Sequence, residues 1–296
     1  MREILHRTAL SILLIGAALS SAKAADMAVK APPPPPKAAV VTWTGFYAGV
    51  NVGYGFGDDP ASETVVSGAG FPIIGAGTPL YGSPNVFNVR PQGVIGGGQI
   101  GYNFQVAPTW LAGLEADIQG SGMRDSKNCI VVCGVPLVSA AVFAFAPSIF
   151  SVNSLENKIQ WFGTVRGRFG YEDGANLFYV TGGLAYGAVE RSRSVVGTST
   201  ILGLVTINNF AGNFSATSTN VGWTAGAGWE RRMWGNWSVK AEYLYVDLGR
   251  TTDSFNTVYG PGSIIGTAGT VAAVRTDTIH YHENIVRVGL NYQFGG

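Results

Sequence analysis

From Trp43 to the end, the chain alternates apolar residues with polar ones or glycine at a period of two, the spacing of a β-strand with two different faces. The last stretch, His282 to Phe294, shows it most clearly. Val286, Val288, Leu290, Tyr292 and Phe294 share one face, and Arg287, Gly289, Asn291 and Gln293 share the other. The same reading predicts seven further strands, at 44–56, 93–105, 110–119, 158–171, 176–189, 220–231 and 237–246. They are joined alternately by short turns at 106–109, 172–175 and 233–236 and by long loops at 58–90, 120–157, 190–217 and 247–281. Asp173-Gly174 is a strong hairpin signal within the second short turn.

Eight strands with strictly alternating short and long connections predict an all-β fold, an eight-stranded antiparallel up-and-down barrel that crosses a membrane. Its short turns would face the periplasm and its four long loops the cell exterior. A soluble barrel of the same topology would turn its apolar residues inward around a ligand. Here the aromatics, ending in Tyr292-x-Phe294, lie opposite a face of glycines and charges, which suits a narrow lumen inside and lipid outside.

Composition narrows the reading. Charged residues make up 12% of the chain, aromatics 11%, and glycine numbers 42. The mean hydropathy of +0.20 arises without an apolar run of about 18 residues, which leaves strands rather than helices to cross a bilayer. A formal charge of +1 gives no electrostatic case for nucleic acid.

Residues 1–24 read as a signal peptide: Arg2 and Arg7 precede the apolar stretch Ala9 to Leu19, and Ala22-Lys23-Ala24 is a small-x-small cleavage site. Its removal takes away Arg2, Arg7, Lys23 and Glu3, so the formal charge falls from +1 to −1. Residues 25–42 read as a periplasmic linker, stiffened by Ala31-Pro-Pro-Pro-Pro-Pro-Lys37, and residues 43–296 as the barrel.

The charges of the polar face are the one constellation with chemistry. Glu115, Asp117, Glu230 and Glu242 meet Arg166, Arg168, Lys240 and Arg287, four acids against four bases. The expectation pairs Arg166 and Arg168 with Glu115 and Asp117, and Arg287 with Glu242, as a plug; the alternative is a polar lining that passes small solutes. Gln160 is expected inward beside them.

Cys129 and Cys133, the two cysteines of the chain, stand in the second long loop, where export through an oxidising compartment favours a local disulfide. His280 and His282 read as a solvated loop pair. With His6 in the signal peptide they are the imidazoles available to a lipid A-modifying enzyme, and no G-x-S-x-G or H-E-x-x-H motif accompanies them. No catalysis, metal or cofactor is expected. Arg191, Arg193 and Arg250 are placed at the outer rim, where guanidinium groups would meet the phosphates of lipopolysaccharide.

The opening WTGFYAGVNVGYGFG at Trp43–Gly57 and the ending NIVRVGLNYQF at Asn284–Phe294 resemble the first and last strands of the alphaproteobacterial outer-membrane β-barrel family, the immunogenic, porin-like surface proteins of Rhizobiales, related in architecture to OmpA and the opacity proteins. The resemblance extends to the signal peptide and to middle strands such as Trp161–Gly170, and Gly295-Gly296 after the terminal aromatic departs from it. It implies a surface antigen that stabilises the envelope and contacts outer-membrane lipid and lipopolysaccharide. It also implies assembly by the barrel machinery through a C-terminal insertion strand carrying Val288, Leu290, Tyr292 and Phe294, with host surfaces and peptidoglycan as further candidate partners and pore activity in some members.

Overall fold

The computed structural model describes residues 42–67, 85–130, 148–201, 205–260 and 271–294. The signal peptide and linker at 1–41 lie outside them, as does Cys133, and for Cys129 only the backbone is described, so the disulfide falls outside the described residues.

Eleven strands form in chain order: β1 (Gly45–Gly57), β2 (Asp59–Ser67), β3 (Asn85–Val89), β4 (Gln92–Ala107), β5 (Trp110–Ser121), β6 (Arg124–Ile130), β7 (Ser148–Asp173), β8 (Asn176–Ile201), β9 (Val205–Trp234), β10 (Trp237–Tyr259) and β11 (Val271–Phe294). Eight of them, β1, β4, β5, β7, β8, β9, β10 and β11, pair antiparallel in that order, and β11 returns to β1 from Phe46 against Phe294 to Gly57 against Glu283. The ring is therefore closed, as a sheet without water at its edges must be in lipid. The short turns fall where expected, with Gly174 and Gly235 at φ of 59° and 51°, a left-handed conformation that glycine adopts without steric cost.

Exposure identifies the outer face. Val50, Ile100 and Leu114 are 63%, 65% and 65% exposed, while Glu115 and Arg166 are 2% and 1%. Apolar outside and charged inside is the inverse of a soluble fold, and it fits a hydrocarbon surround. Two belts of aromatics bound this apolar band. The lower contains Phe46 against Tyr102, Trp110 against Phe169 and Trp237 against Tyr292, with centroids 4.6, 5.1 and 5.0 Å apart. The upper contains Trp161 against Tyr186 at 6.1 Å and Trp223 against Tyr245 at 5.3 Å. Phe46 and Phe56 on β1 are separated by ten residues, about 25 Å along the axis at a tilt of about 40°, the height of a hydrocarbon core.

Above the upper belt the structure departs from the expected loops. Much of 190–217 and 247–281 is strand, because β8–β9 and β10–β11 continue as long hairpins beyond the membrane. The alternation there is of a different kind. Arg191, Arg193 and Val195 turn inward, and Ser192, Ser194, Asn213 and Ser215 form the outer face. Because both faces contain polar residues, a hydrophobic period does not reveal it. Strands β2 and β3 form a hairpin that adds to β11, and β6 pairs with β7, so the first two expected loops also contain strand. The β9–β10 ladder stops at Trp223 against Asp247 and resumes at Ala211 against Val258, and the gap is bridged by Asn220 donating to Thr251 at 2.8 Å.

Candidate functional site

The eight expected charges converge in the lumen, each 5% exposed or less. Period-two alternation sends Glu115 and Asp117 inward from β5, Arg166 and Arg168 from β7, Glu230 from β9, Lys240 and Glu242 from β10 and Arg287 from β11. Arg166 contacts Glu115, donates to Asp117 at 2.9 Å and reaches across the barrel to Glu242 at 3.1 Å. Arg287 donates to Glu242 at 2.7 Å and to Asp117 at 2.8 Å. Lys240 Nζ lies 3.1 Å from Glu115 and 3.8 Å from Glu242.

The geometry redistributes the expected pairs. Arg168 turns to Glu230 at 2.9 Å and lies 3.5 Å from Glu115, so Asp117 is shared by Arg166 and Arg287 instead. Register opposes Glu115 to Arg166 and Glu242 to Arg287, and Arg166 to Asp117 and Arg168 to Glu115 are diagonal contacts on the same neighbouring pair β5–β7. Arg166 to Glu242, Arg168 to Glu230, Lys240 to Glu115 and Arg287 to Asp117, by contrast, join strands that are not neighbours. Gln160 is not in this group. A bulge between Ile159 and Trp161 displaces it, and its amide donates to the half-exposed Glu190 at 2.8 Å.

Several members carry no charge, and among them the two tyrosines escaped the sequence reading. Tyr47 donates to Glu115 at 2.7 Å and accepts from Arg168 at 2.8 Å; Tyr179 donates to Glu242 at 3.1 Å and lies under the Arg168 guanidinium at 4.0 Å. An amide chain runs from Asn51 to Gln99 to Asn291 and on to Glu230, with donor–acceptor distances of 2.6, 2.5 and 2.8 Å. Every strand of the ring thus contributes to one network. The signal for the tyrosines was their parity, since Tyr47 shares a face with Asn51, opposite Phe46 and Ala48. Gly101 and Gly228 make the room: a Cβ on either would stand 2.3 Å from the Tyr47 hydroxyl or 2.4 Å from the Tyr179 ring.

Apolar layers close the network on both sides. On the periplasmic side Trp43 packs with Leu111, Leu177 and Tyr179, its indole donates to Gly174 O at 3.3 Å, and Arg232 covers it at 4.9 Å. On the outer side Ile95, Met123, Phe162, Ala185, Leu244 and Ile285 meet inside the barrel. Beyond them, above the membrane, lie Asp59 and Glu283, both buried, and a second charged tier. In that tier Arg193 donates to Asp277 at 2.6 Å and to Glu63 at 2.8 Å, and Arg191 donates to Asp253 at 3.1 Å. Arg191 and Arg193 are 4% and 7% exposed, so they belong to the interior rather than to the lipopolysaccharide-facing rim; Arg250 is exposed there. His280 and His282 stand on β11 rather than on a loop, with His280 Nε2 3.1 Å from Asp247.

Residues 11–294 match the outer membrane protein β-barrel domain. The chain belongs to this family. Its relatives within it include a 31 kDa outer-membrane immunogenic protein of Brucella melitensis, 33% identical over 93% of this chain and 94% of that one. A 25 kDa outer-membrane immunogenic protein of Brucella abortus is 26% identical over 97% of this chain and 100% of that one. Among solved structures, the outer membrane protein OprG of Pseudomonas aeruginosa aligns with a TM-score of 0.37 at 10% identity, covering 86% of this chain and 97% of that one. As a member of the outer membrane protein β-barrel family, the protein resides in the outer membrane of a Gram-negative bacterium, which fixes hydrocarbon as the solvent of its apolar face.

Proposed function

We propose that this outer-membrane barrel is a closed, surface-presenting anchor that stabilises the envelope, and that its lumen is a core and not a conduit. One observation carries the reading: all eight ring strands contribute side chains to a single buried network that crosses the lumen. Charges without water need partners, and partners drawn from opposite walls leave no open path. The apolar layers at Trp43 and at Phe162 and Ile285 support the same reading, since a dry constriction resists ions. Relatives named for their immunogenicity support a surface role without catalysis. At the outer rim we assign Arg250, together with Lys158 and the two histidines, to lipopolysaccharide, and we assign β11 to the barrel-assembly machinery. Host surfaces or peptidoglycan are the partners we assign to the parts beyond the membrane.

Conductance of the refolded protein in a planar bilayer tests the closed lumen. The wild type is expected to give no large steady steps, and Arg166→Ala to introduce a leak by removing three contacts at once. Large, steady wild-type conductance, with Arg166→Ala shifting selectivity toward cations and leaving stability unchanged, would make the protein a small-solute porin instead.

A further inference from the structure

The outer face of the ring between the two aromatic belts is built from apolar residues, glycine and alanine, and charge enters it at the periplasmic end, with Arg231 on β9 and, two strands away across Asn176, the exposed Asp173 at the end of β7. On β9 the outward row reads Val221, Trp223, Ala225, Ala227, Trp229, Arg231, Met233. Arg231 is exposed, stands between Trp229 and Met233 along its own strand, and lies opposite Val239 on β10 and Asn176 on β8. Among the described residues no carboxylate forms an ion pair with it; Glu230 beside it turns into the lumen to Arg168, Ser238 and Asn291. The next residue, Arg232, also turns inward, donating to Thr42 O at 2.7 Å.

A shallow groove of about 380 Å³ opens here, lined by Trp229, Arg231, Arg232, Met233 and Val239. Its walls are apolar and its charge is positive. An unpaired guanidinium on a lipid-facing row is costly in hydrocarbon and tolerable at the interface, where it can reach an anion. Next to it, the Trp229 indole donates to Asn176 Oδ1 at 3.3 Å, which leaves the Asn176 amide N–H groups free to donate.

We propose that this groove is a phospholipid site: Arg231 and the amide of Asn176 hold the phosphodiester of an inner-leaflet glycerophospholipid, and one acyl chain lies along Trp229, Met233 and Val239. The ligand chemistry follows from the juxtaposition of a planar cation, which suits phosphate oxygens, with an indole and apolar walls at headgroup depth. The site is independent of whether the lumen is closed.

Quenching of tryptophan fluorescence tests it. Protein refolded in uncharged maltoside micelles is titrated with phosphatidylglycerol brominated on its acyl chains, and in parallel with a diacylglycerol carrying the same chains. Trp229, which lines the groove, is the reporter, with Trp234 and Trp237 paired at the end of the same β9–β10 hairpin. Wild type is expected to be quenched at lower mole fractions of phosphatidylglycerol than of diacylglycerol. Arg231→Gln should lose that preference by about fivefold, the order of one exposed charge-assisted contact. Arg231→Lys, which keeps the charge but not the planar fork, should fall between. Heat-modifiable migration on a gel shows that each variant is folded, and millimolar inorganic phosphate should not displace the lipid. Equal quenching of wild type and Arg231→Gln, no preference over diacylglycerol, or displacement by inorganic phosphate would each overturn the proposal.

Discussion

Inward side chains in this barrel are governed by the room and the partners their neighbours leave, and the two carboxyl groups at the mouth show what happens when partners are lacking. Asp59 and Glu283 are buried side by side above the upper aromatic belt, and among the described residues no arginine or lysine pairs with either. Burial pushes Asp59 up to about 7, against the His282 backbone N–H that donates to it at 2.9 Å, and the neighbouring Asp58 adds to the rise. Burial holds Glu283 well above the usual carboxylate range, and the charge of Asp59 raises it further. Asp125 also faces the pair, and the His282 imidazole stands 3.7 Å from Asp59. A carboxyl raised in the folded state binds its proton more tightly there than in the unfolded chain. The stability it contributes is therefore complete below about pH 4 and is lost as pH rises through 7. Wild type is expected to lose stability over that window relative to Asp59→Asn, which keeps an acceptor for His282 and has no proton to lose. Urea midpoints of the two proteins measured from pH 4 to pH 8 check this; parallel curves would show that the pair does not titrate there.

At the scale of elements, β11 carries the most information per residue. Its outward row ends Val288, Leu290, Tyr292, Phe294, while its inward row passes from Asn291 through Arg287, Ile285 and Glu283 to Asp277, crossing the charged layer, the apolar layer and the outer tier in turn. It also closes the ring, since Phe294 pairs with Phe46 and stacks edge-on against Tyr292 at 5.1 Å. Phe294→Ala removes the terminal aromatic at 54% exposure without touching the lumen. Outer-membrane accumulation is expected to fall severalfold, read by fractionation and heat-modifiable migration, and wild-type accumulation would show that this aromatic is not the insertion signal. The long hairpins β8–β9 and β10–β11 extend the same strands beyond lipid, where their serine and threonine outer faces suit water. There, cross-strand bonds such as Thr252 to Thr278 at 3.1 Å and Ser254 to Thr276 at 2.9 Å take over from apolar packing.

For the whole molecule, the lumen is layered like the core of a soluble domain turned inside out, with ion pairs at its centre and apolar layers as lids. Arg287, like Arg166, is shared among three carboxylates, Glu242, Asp117 and Glu115. Truncation to alanine would leave these buried carboxylates with fewer counter-charges. It should destabilise the barrel by about 3–5 kcal/mol, seen as a lower urea midpoint of refolded protein. A shift within experimental scatter would mean that water fills the site.

The sequence by itself determined the ring: the strand number, the short turns, the lipid-facing rows and the eight luminal charges all follow from a period of two read against glycine and aromatic positions, because each is a local property of one strand. Glu115 opposite Arg166 was legible too, since adjacent strands in a meander pair by register. Tertiary structure alone decided the rest. Contacts such as Arg166 to Glu242 and Arg168 to Glu230 cross the lumen between strands that are not neighbours, and only closure of the ring brings them within reach. The strands above the membrane were hidden for a related reason. Their inward residues, Arg191, Arg193 and Glu63, are polar, and they are buried only because opposite walls of the barrel supply their partners.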